Sequence, residues 1–161
     1  TVSVVEMYGM TQVEKIPVGI NLHRIEADKY GKLWVTSRGN YGSVRSKMFV
    51  LERENKFSHK MVVTDTLDIP CSEMCIQGDS LYFYSVEWNN QEERNNITYG
   101  IINVRTRELI TDHFITDGTE NNIEIPYGIN VNPVNGDIYV TDAKNYKKRK
   151  SFVDKIKDFF D

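Results

Sequence analysis

The heptapeptide IPVGINL at residues 16–22 returns as IPYGINV at residues 125–131, with five of its seven positions identical. A weaker copy, IPCSEMC, stands between them at residues 69–75. The three copies start at residues 16, 69 and 125, so successive intervals are 53 and 56 residues. A recurring period of this size is typical of proteins built from stacked supersecondary units, and it is the observation that decides the fold.

A second element keeps the same phase. The segments GKLWVT, DSLYFY and GDIYVT occupy residues 31–36, 79–84 and 136–141. Each begins at a turn residue and continues with an aliphatic, an aromatic and another β-forming side chain, which is the pattern of a short strand. Further strand-like runs at 47–51, 57–63, 99–104 and 109–115 give four strands to each complete unit.

Four short strands repeated every 40–55 residues or so are typical of a β-propeller blade. The sequence therefore predicts an all-β fold, an arc of a β-propeller made of four-stranded antiparallel blades. The predicted divisions are the tail of a preceding blade (1–15), two blades (16–68 and 69–124), the start of a further blade (125–146) and a basic segment with a short amphipathic helix (147–161).

These elements resemble the YVTN/NHL-type β-propeller families, and in particular the secreted surface-layer propellers of gut bacteria. The resemblance is carried by PYGI at 126–129, NPVNGDIYVTDA at 132–143 and NY at 145–146. It implies a propeller fold and a location outside the cytoplasm, in the periplasm, on the cell surface or secreted. It implies no particular activity.

The length is short for a closed propeller, which usually has four to eight blades. Three accounts remain open: a piece of a larger propeller, an arc completed by self-association, and a shortened variant closed by its own tail. Apolar residues at helical spacing, Phe152, Val153, Ile156 and Phe159, favour a helix in that tail. A last blade that has lost its strand pattern is the alternative.

Composition excludes several classes of function. The 161 residues carry 20 basic and 23 acidic side chains, a net charge of −3, which is unsuited to a protein that follows a phosphate backbone. No apolar run reaches the roughly 18–20 residues of a membrane span. Cys71 and Cys75 lack the second ligand pair of a zinc site, and we predict neither a metal nor a cofactor.

The candidate binding residues lie in the loops between the second and third strand of each unit, at 37–43, 87–96 and 142–146. In a meander these loops share one face, and aromatic rings beside Asn and charged groups suit a glycan or a peptide. Asn-Tyr recurs in two loops, so a role in shaping every loop is the alternative, whereas Trp88 breaks the repeat. The predicted set is Arg38, Asn40, Tyr41, Trp88, Asn89, Asp142, Lys144 and Tyr146.

The predicted function is a non-catalytic binding or assembly module whose ligand is undetermined. One alternative is a propeller enzyme of lyase or lactonase type with a metal-assisted site at the channel mouth, for which His23, Glu26, Glu87 and Asp142 are the candidates. The other is a fragment without a function of its own. For His23 itself we expect a packed or hydrogen-bonded side chain.

Overall fold

The computed structural model describes residues 1–144, so the predicted C-terminal helix lies outside the described residues. The described chain is all-β, with one 3-10 turn at Thr119–Asn122. Its strands are β1 Val2–Val5, β2 Gln12–Ile16, β3 Leu22–Ala27, β4 Leu33–Ser37, β5 Lys47–Arg53, β6 Met61–Leu67, β7 Glu73–Gln77, β8 Ser80–Asn89, β9 Arg94–Asn103, β10 Leu109–Thr111, β11 Pro126–Val131 and β12 Ile138–Asp142.

The strands form four antiparallel sheets in the order of the chain. An N-terminal hairpin (β1–β2) is followed by sheet I (β3–β6), sheet II (β7–β10) and a C-terminal hairpin (β11–β12). Within sheets I and II each strand pairs with its sequence neighbour, so both are meanders. The predictions of an all-β chain and of four-stranded antiparallel sheets are confirmed.

Two predicted strands differ in extent. The fourth strand of sheet I begins at Met61, whereas the sequence placed it at 57–63. Residues 55–60 form a turn, in which the Asn55 carboxamide accepts a hydrogen bond from the Phe57 amide at 2.9 Å. This local bond competes with strand pairing, and it leaves Phe57 86% exposed. The last strand of sheet II covers only Leu109–Thr111 of the predicted 109–115.

The apolar core lies between sheets rather than within one. Trp34, Met48 and Val50 of sheet I pack with Met74, Leu81, Phe83 and Ile102 of sheet II. Alternate residues point the other way, since Val35 and Leu51 pack with the N-terminal hairpin. Tyr84 and Tyr99 pack with Ile129 of the C-terminal hairpin. Both faces of each four-stranded sheet are therefore buried, as the two-residue strand period allows.

The first strands of successive units lie side by side. Strand β7 contacts β3 of the preceding sheet and β11 of the following hairpin. The repeated heptapeptide ends within or just before each of these strands. The repeat therefore marks the positions at which neighbouring units meet.

Asp28 organises the turn between β3 and β4. Its buried carboxylate accepts bonds from the backbone amides of Tyr30 and Lys32 at 2.9 and 3.0 Å, and from the Trp34 indole at 3.0 Å. Trp34 is fully buried in the core between the two sheets. One carboxylate thus joins the turn to the packing of sheet I against sheet II.

Replacing Asp28 with Ala is expected to lower the free energy of unfolding by about 3 kcal/mol, because three donors lose their acceptor and one is a buried indole. Asp28→Asn keeps one carbonyl oxygen and is expected to cost about half as much. Urea unfolding followed by circular dichroism measures both. Equal stability of Asp28→Ala and the native chain would contradict this role.

Arg107, in the turn after β9, reaches from sheet II to sheet I. Its guanidinium contacts Glu52 at 2.9 Å and Asp65 at 2.8 Å, and Lys32 also contacts Glu52 at 2.8 Å. The bond from Lys32, then the bond from Thr64, and the nearby Arg107 charge lower the pKa of Glu52 below its ordinary value of 4.5. This network joins the turn ends of the two sheets.

A lowered carboxyl pKa contributes stability above the pKa of the unfolded chain and loses it as the pH falls through the folded value. Glu52→Gln is therefore expected to be about 1 kcal/mol less stable at neutral pH, and the difference should vanish on acidification. Denaturant titrations across the acid range test this. Glu54→Gln, at an exposed carboxylate nearby, is the control expected to show no such convergence.

Candidate functional site

The loop between β4 and β5 is shaped by its own polar side chains. The Asn40 carboxamide oxygen accepts bonds from the amides of Gly42 and Val44 at 3.0 and 2.8 Å. Gly39 has φ +68°, and a Cβ there would lie 2.0 Å from the Val44 carbonyl oxygen, so only glycine fits. The loop is held in one shape that presents Tyr41 to solvent, 84% exposed.

The predicted loop at 87–96 is wrong in extent, because the β8–β9 ladder continues through it. Trp88 pairs with Asn95 and Asn89 with Arg94, which leaves only residues 90–93 as a turn. The Asn89 carboxamide accepts bonds from the two amides that follow Asn90, which closes the turn locally. The result is a long hairpin that carries Trp88 on a strand, 60% exposed.

A groove of about 700 Å³ runs between the β4–β5 loop and the end of β8. Arg38, Tyr41 and Arg45 line one side, and Glu87 and Trp88 line the other. Ser72, in the connection between the sheets, also lines it. We call this the inter-sheet groove.

Hydrogen bonds fix the walls of the inter-sheet groove. The Ser72 hydroxyl accepts a bond from the Val86 amide at 3.0 Å, and the Ser46 hydroxyl accepts one from the Cys71 amide at 3.3 Å. Each bond joins the connection between the sheets to one wall. Both serine hydroxyls therefore have a structural partner before any ligand arrives.

The groove contains two arginine side chains that are not paired with any acidic group of residues 1–144. Among residues 1–144 the guanidinium groups of Arg38 and Arg45 form no ion pair and no side-chain hydrogen bond, and both residues are exposed. Arginine offers five donors in a planar fork that matches a carboxylate. The groove is therefore suited to an anionic group.

The structure brings together three of the predicted site residues, Arg38, Tyr41 and Trp88. Asn40 and Asn89 instead bond backbone amides of their own turns, which fits the alternative that Asn shapes these loops.

Two of the remaining candidates, Asp142 and Lys144, lie at the C-terminal end of the described residues. Asp142 accepts bonds from the amides of Glu124, Ile125 and Lys144, and backbone bonding lowers its pKa. The ammonium group of Lys144 contacts the Glu124 carboxylate. Tyr146 lies outside the described residues.

Sequence reasoning missed Arg45 and Ser72. A signal existed for Ser72, because it stands in the second heptapeptide where the other two copies have glycine. Arg45 gave no such signal, since nothing in its neighbourhood repeats. Arg45 lies in the groove because the loop folds back so that the backbone of residues 44–45 packs closely against Gly39.

A smaller pocket of about 240 Å³ adjoins the groove beside the first strands, and Arg38 and Ser72 line both. In it the imidazole of His23 contacts the Glu73 carboxylate, as expected for a hydrogen-bonded histidine. Glu26 contacts Arg24, at 2.5 Å. Within residues 1–144 no three His, Cys, Asp or Glu side chains converge as a metal site would require.

No protein-family model and no curated protein matches the chain. In the part of the chain that the structure describes, no helix has the length and apolar character needed to cross a membrane.

Both cysteines are buried free thiols, and Cys71 borders the groove. Burial above all, with the Glu73 carboxylate, raises the pKa of Cys71, and burial with the Glu26 carboxylate raises the pKa of Cys75 to about 11. The thiolate is the reactive form. We expect neither thiol to react with an aromatic disulfide reagent at neutral pH until urea unfolds the chain.

The reagent's absorbance measures that reaction, and the single variants Cys71→Ser and Cys75→Ser assign it. Rapid labelling of the folded chain at either position would contradict the prediction and would make that thiol a candidate nucleophile.

Proposed function

We propose that the chain is part of a YVTN/NHL-type β-propeller that acts outside the cytoplasm as a non-catalytic module, and that the inter-sheet groove binds an acidic glycan. One observation supports this choice of ligand. Two guanidinium groups without an ion-pair partner among residues 1–144 lie in the same groove as two exposed aromatic side chains.

The propeller is supported by how the sheets follow one another. Successive meanders bury both faces against their neighbours, and the first strands β3, β7 and β11 lie side by side. Blades of a propeller have this relation, with the first strand of each next to the axis. The repeated heptapeptide and the NPVNGDIYVTDA segment add the family resemblance.

The anionic part of the ligand follows from Arg38 and Arg45. A planar guanidinium binds a carboxylate through two parallel bonds, and such charge-assisted bonds are stronger than neutral ones. Glu87 lies on the opposite wall and repels a second anion there. The groove therefore favours a ligand whose acid groups are spaced by neutral parts.

The aromatic side chains favour a sugar as that neutral part. Tyr41 and Trp88 offer flat, solvent-accessible faces to the apolar side of a sugar ring, at little cost in side-chain entropy. A peptide commonly binds by adding a strand to a free sheet edge. Beside this groove β4 pairs with both β3 and β5, so it has no free edge. Residues 86–88 of β8 extend past β7 and pair with β9 alone, but the Val86 amide on the other edge is already bonded to the Ser72 hydroxyl, so a peptide would find only a short, interrupted edge.

Tryptophan fluorescence tests the proposal, because Trp34 is fully buried and Trp88 is exposed. Oligogalacturonate, the acidic probe, is expected to bind and to protect Trp88 from acrylamide quenching. A neutral oligosaccharide of the same length is expected to bind far more weakly. Arg45→Ala and Tyr41→Ala should each weaken binding about tenfold.

The matched controls are Arg105→Ala and Tyr8→Ala, an exposed arginine and an exposed tyrosine that do not line the groove. Both are expected to bind as the native chain does. Absence of binding would overturn the proposal, as would equal binding of the neutral probe. Binding of an acidic peptide in place of the oligosaccharide would replace the glycan with a peptide ligand.

A further inference from the structure

Within residues 1–144 two buried side-chain polar atoms lack a hydrogen-bond partner, the Tyr99 hydroxyl and Oε2 of Glu120. Both residues line one cavity of about 570 Å³, between the start of β9 and residues 120–124. Buried polar groups in folded proteins are nearly always partnered, because an unsatisfied one is costly. Because both atoms lie in one cavity, a single ligand bound there could supply the missing hydrogen bonds.

The two groups are held in place. Tyr99 is 3% exposed, and its ring packs edge-on against Phe114 at 6.0 Å and tilted against Tyr84 at 6.3 Å. Glu120 sits on the 3-10 turn, whose start is tied by bonds from the Thr119 amide and hydroxyl to Asp117 at 3.1 and 2.7 Å. Neither the Tyr99 ring nor the backbone that carries Glu120 relies on a ligand for its position.

The hydrogen-bonding properties of Tyr99 and Glu120 limit the kinds of ligand that can satisfy both groups. Burial first, and then the carboxylates of Asp142 and Glu120, raise the pKa of Tyr99 to about 12, so the phenol keeps its proton and can donate it. A Glu120 carboxylate only accepts. An ammonium group would leave the phenolic hydrogen unused. An anion would be repelled by Glu120, and Arg94, which also lines the cavity, is already paired with Glu92. A hydroxyl group donates and accepts, so adjacent hydroxyls can satisfy both atoms.

We propose that this cavity binds a neutral monosaccharide unit, with Tyr99 donating to one ring hydroxyl and Glu120 accepting from its neighbour. Amide side chains of Asn95, Asn96 and Asn121 also line the cavity and can bond further hydroxyls. The volume lies in the usual range of small-molecule sites, about 300–1,000 Å³.

This site differs from the inter-sheet groove. The cavity is lined from the β9 side of the long hairpin, and the groove from the β8 side. It contains neither Trp88 nor the two unpaired arginines. The two proposals can therefore fail separately.

Saturation-transfer NMR on the intact 161-residue chain tests the cavity with four probes, glucose, galactose, mannose and inositol. At least one is expected to bind in the millimolar range. Tyr99→Phe and Glu120→Gln should each weaken that binding about tenfold. A second measurement uses the same sugar as the end residue of a neutral oligosaccharide. Tighter binding of the oligosaccharide would indicate the end of a glycan as the natural ligand, and tighter binding of the monosaccharide would indicate a free sugar.

Tyr84→Phe is the matched control, because its ring lies next to Tyr99 but does not line the cavity. It is expected to bind the probe normally. Without ligand, Tyr99→Phe should melt no lower than the native chain, since it removes an unpartnered hydroxyl.

Three results would overturn the inference. The first is that none of the four probes binds. The second is that a probe binds Tyr99→Phe and Glu120→Gln as well as it binds the native chain, which would place the probe elsewhere. In the third, Tyr99→Phe melts lower without ligand, which would show that the hydroxyl already has a partner in the folded protein, such as a bound water.

Discussion

The packing of sheet I against sheet II is the interaction on which the rest of this structure depends. Trp34, Phe83 and Met74 are almost wholly buried between the sheets, although they come from three different strands. A four-stranded meander of this size cannot bury both of its faces alone, so stability comes from the junction of neighbouring units. That junction also fixes the separation of the groove walls, because each wall belongs to a different sheet.

The two ends of this junction differ in the contacts between the sheets. At the turn end, ion pairs and hydrogen bonds hold the sheets together: Arg107 with Glu52 and Asp65, and the Tyr30 hydroxyl with Asp79 at 2.6 Å. At the loop end His23 contacts Glu73 across the two sheets. Beside this contact the sheets separate to form the inter-sheet groove, where Arg38 and Arg45 have no ion-pair partner among residues 1–144.

The groove and the cavity beside Tyr99 are lined by different strands of the β8–β9 hairpin and belong to successive junctions. Both junctions pack sheet II against a neighbouring antiparallel sheet, and different side chains line them. The first junction presents arginine and aromatic groups, the second a phenol, a carboxylate and amides. Under the two proposals above, neighbouring junctions of one scaffold would bind an acidic glycan and a neutral sugar because their loops differ.

The sequence by itself determined most of the strands and their grouping into four-stranded antiparallel sheets, because these follow from local turn chemistry and the two-residue period. Arg38, Tyr41 and Trp88 could be found in this way. Packing between sheets decided the rest. Ser72 and Arg45 meet Trp88, and Tyr99 meets Glu120, only after sheets distant in sequence are brought together. The Asn40 and Asn89 side chains bond backbone amides of their own turns, because an Asn carboxamide readily accepts hydrogen bonds from amides a few residues further along the chain.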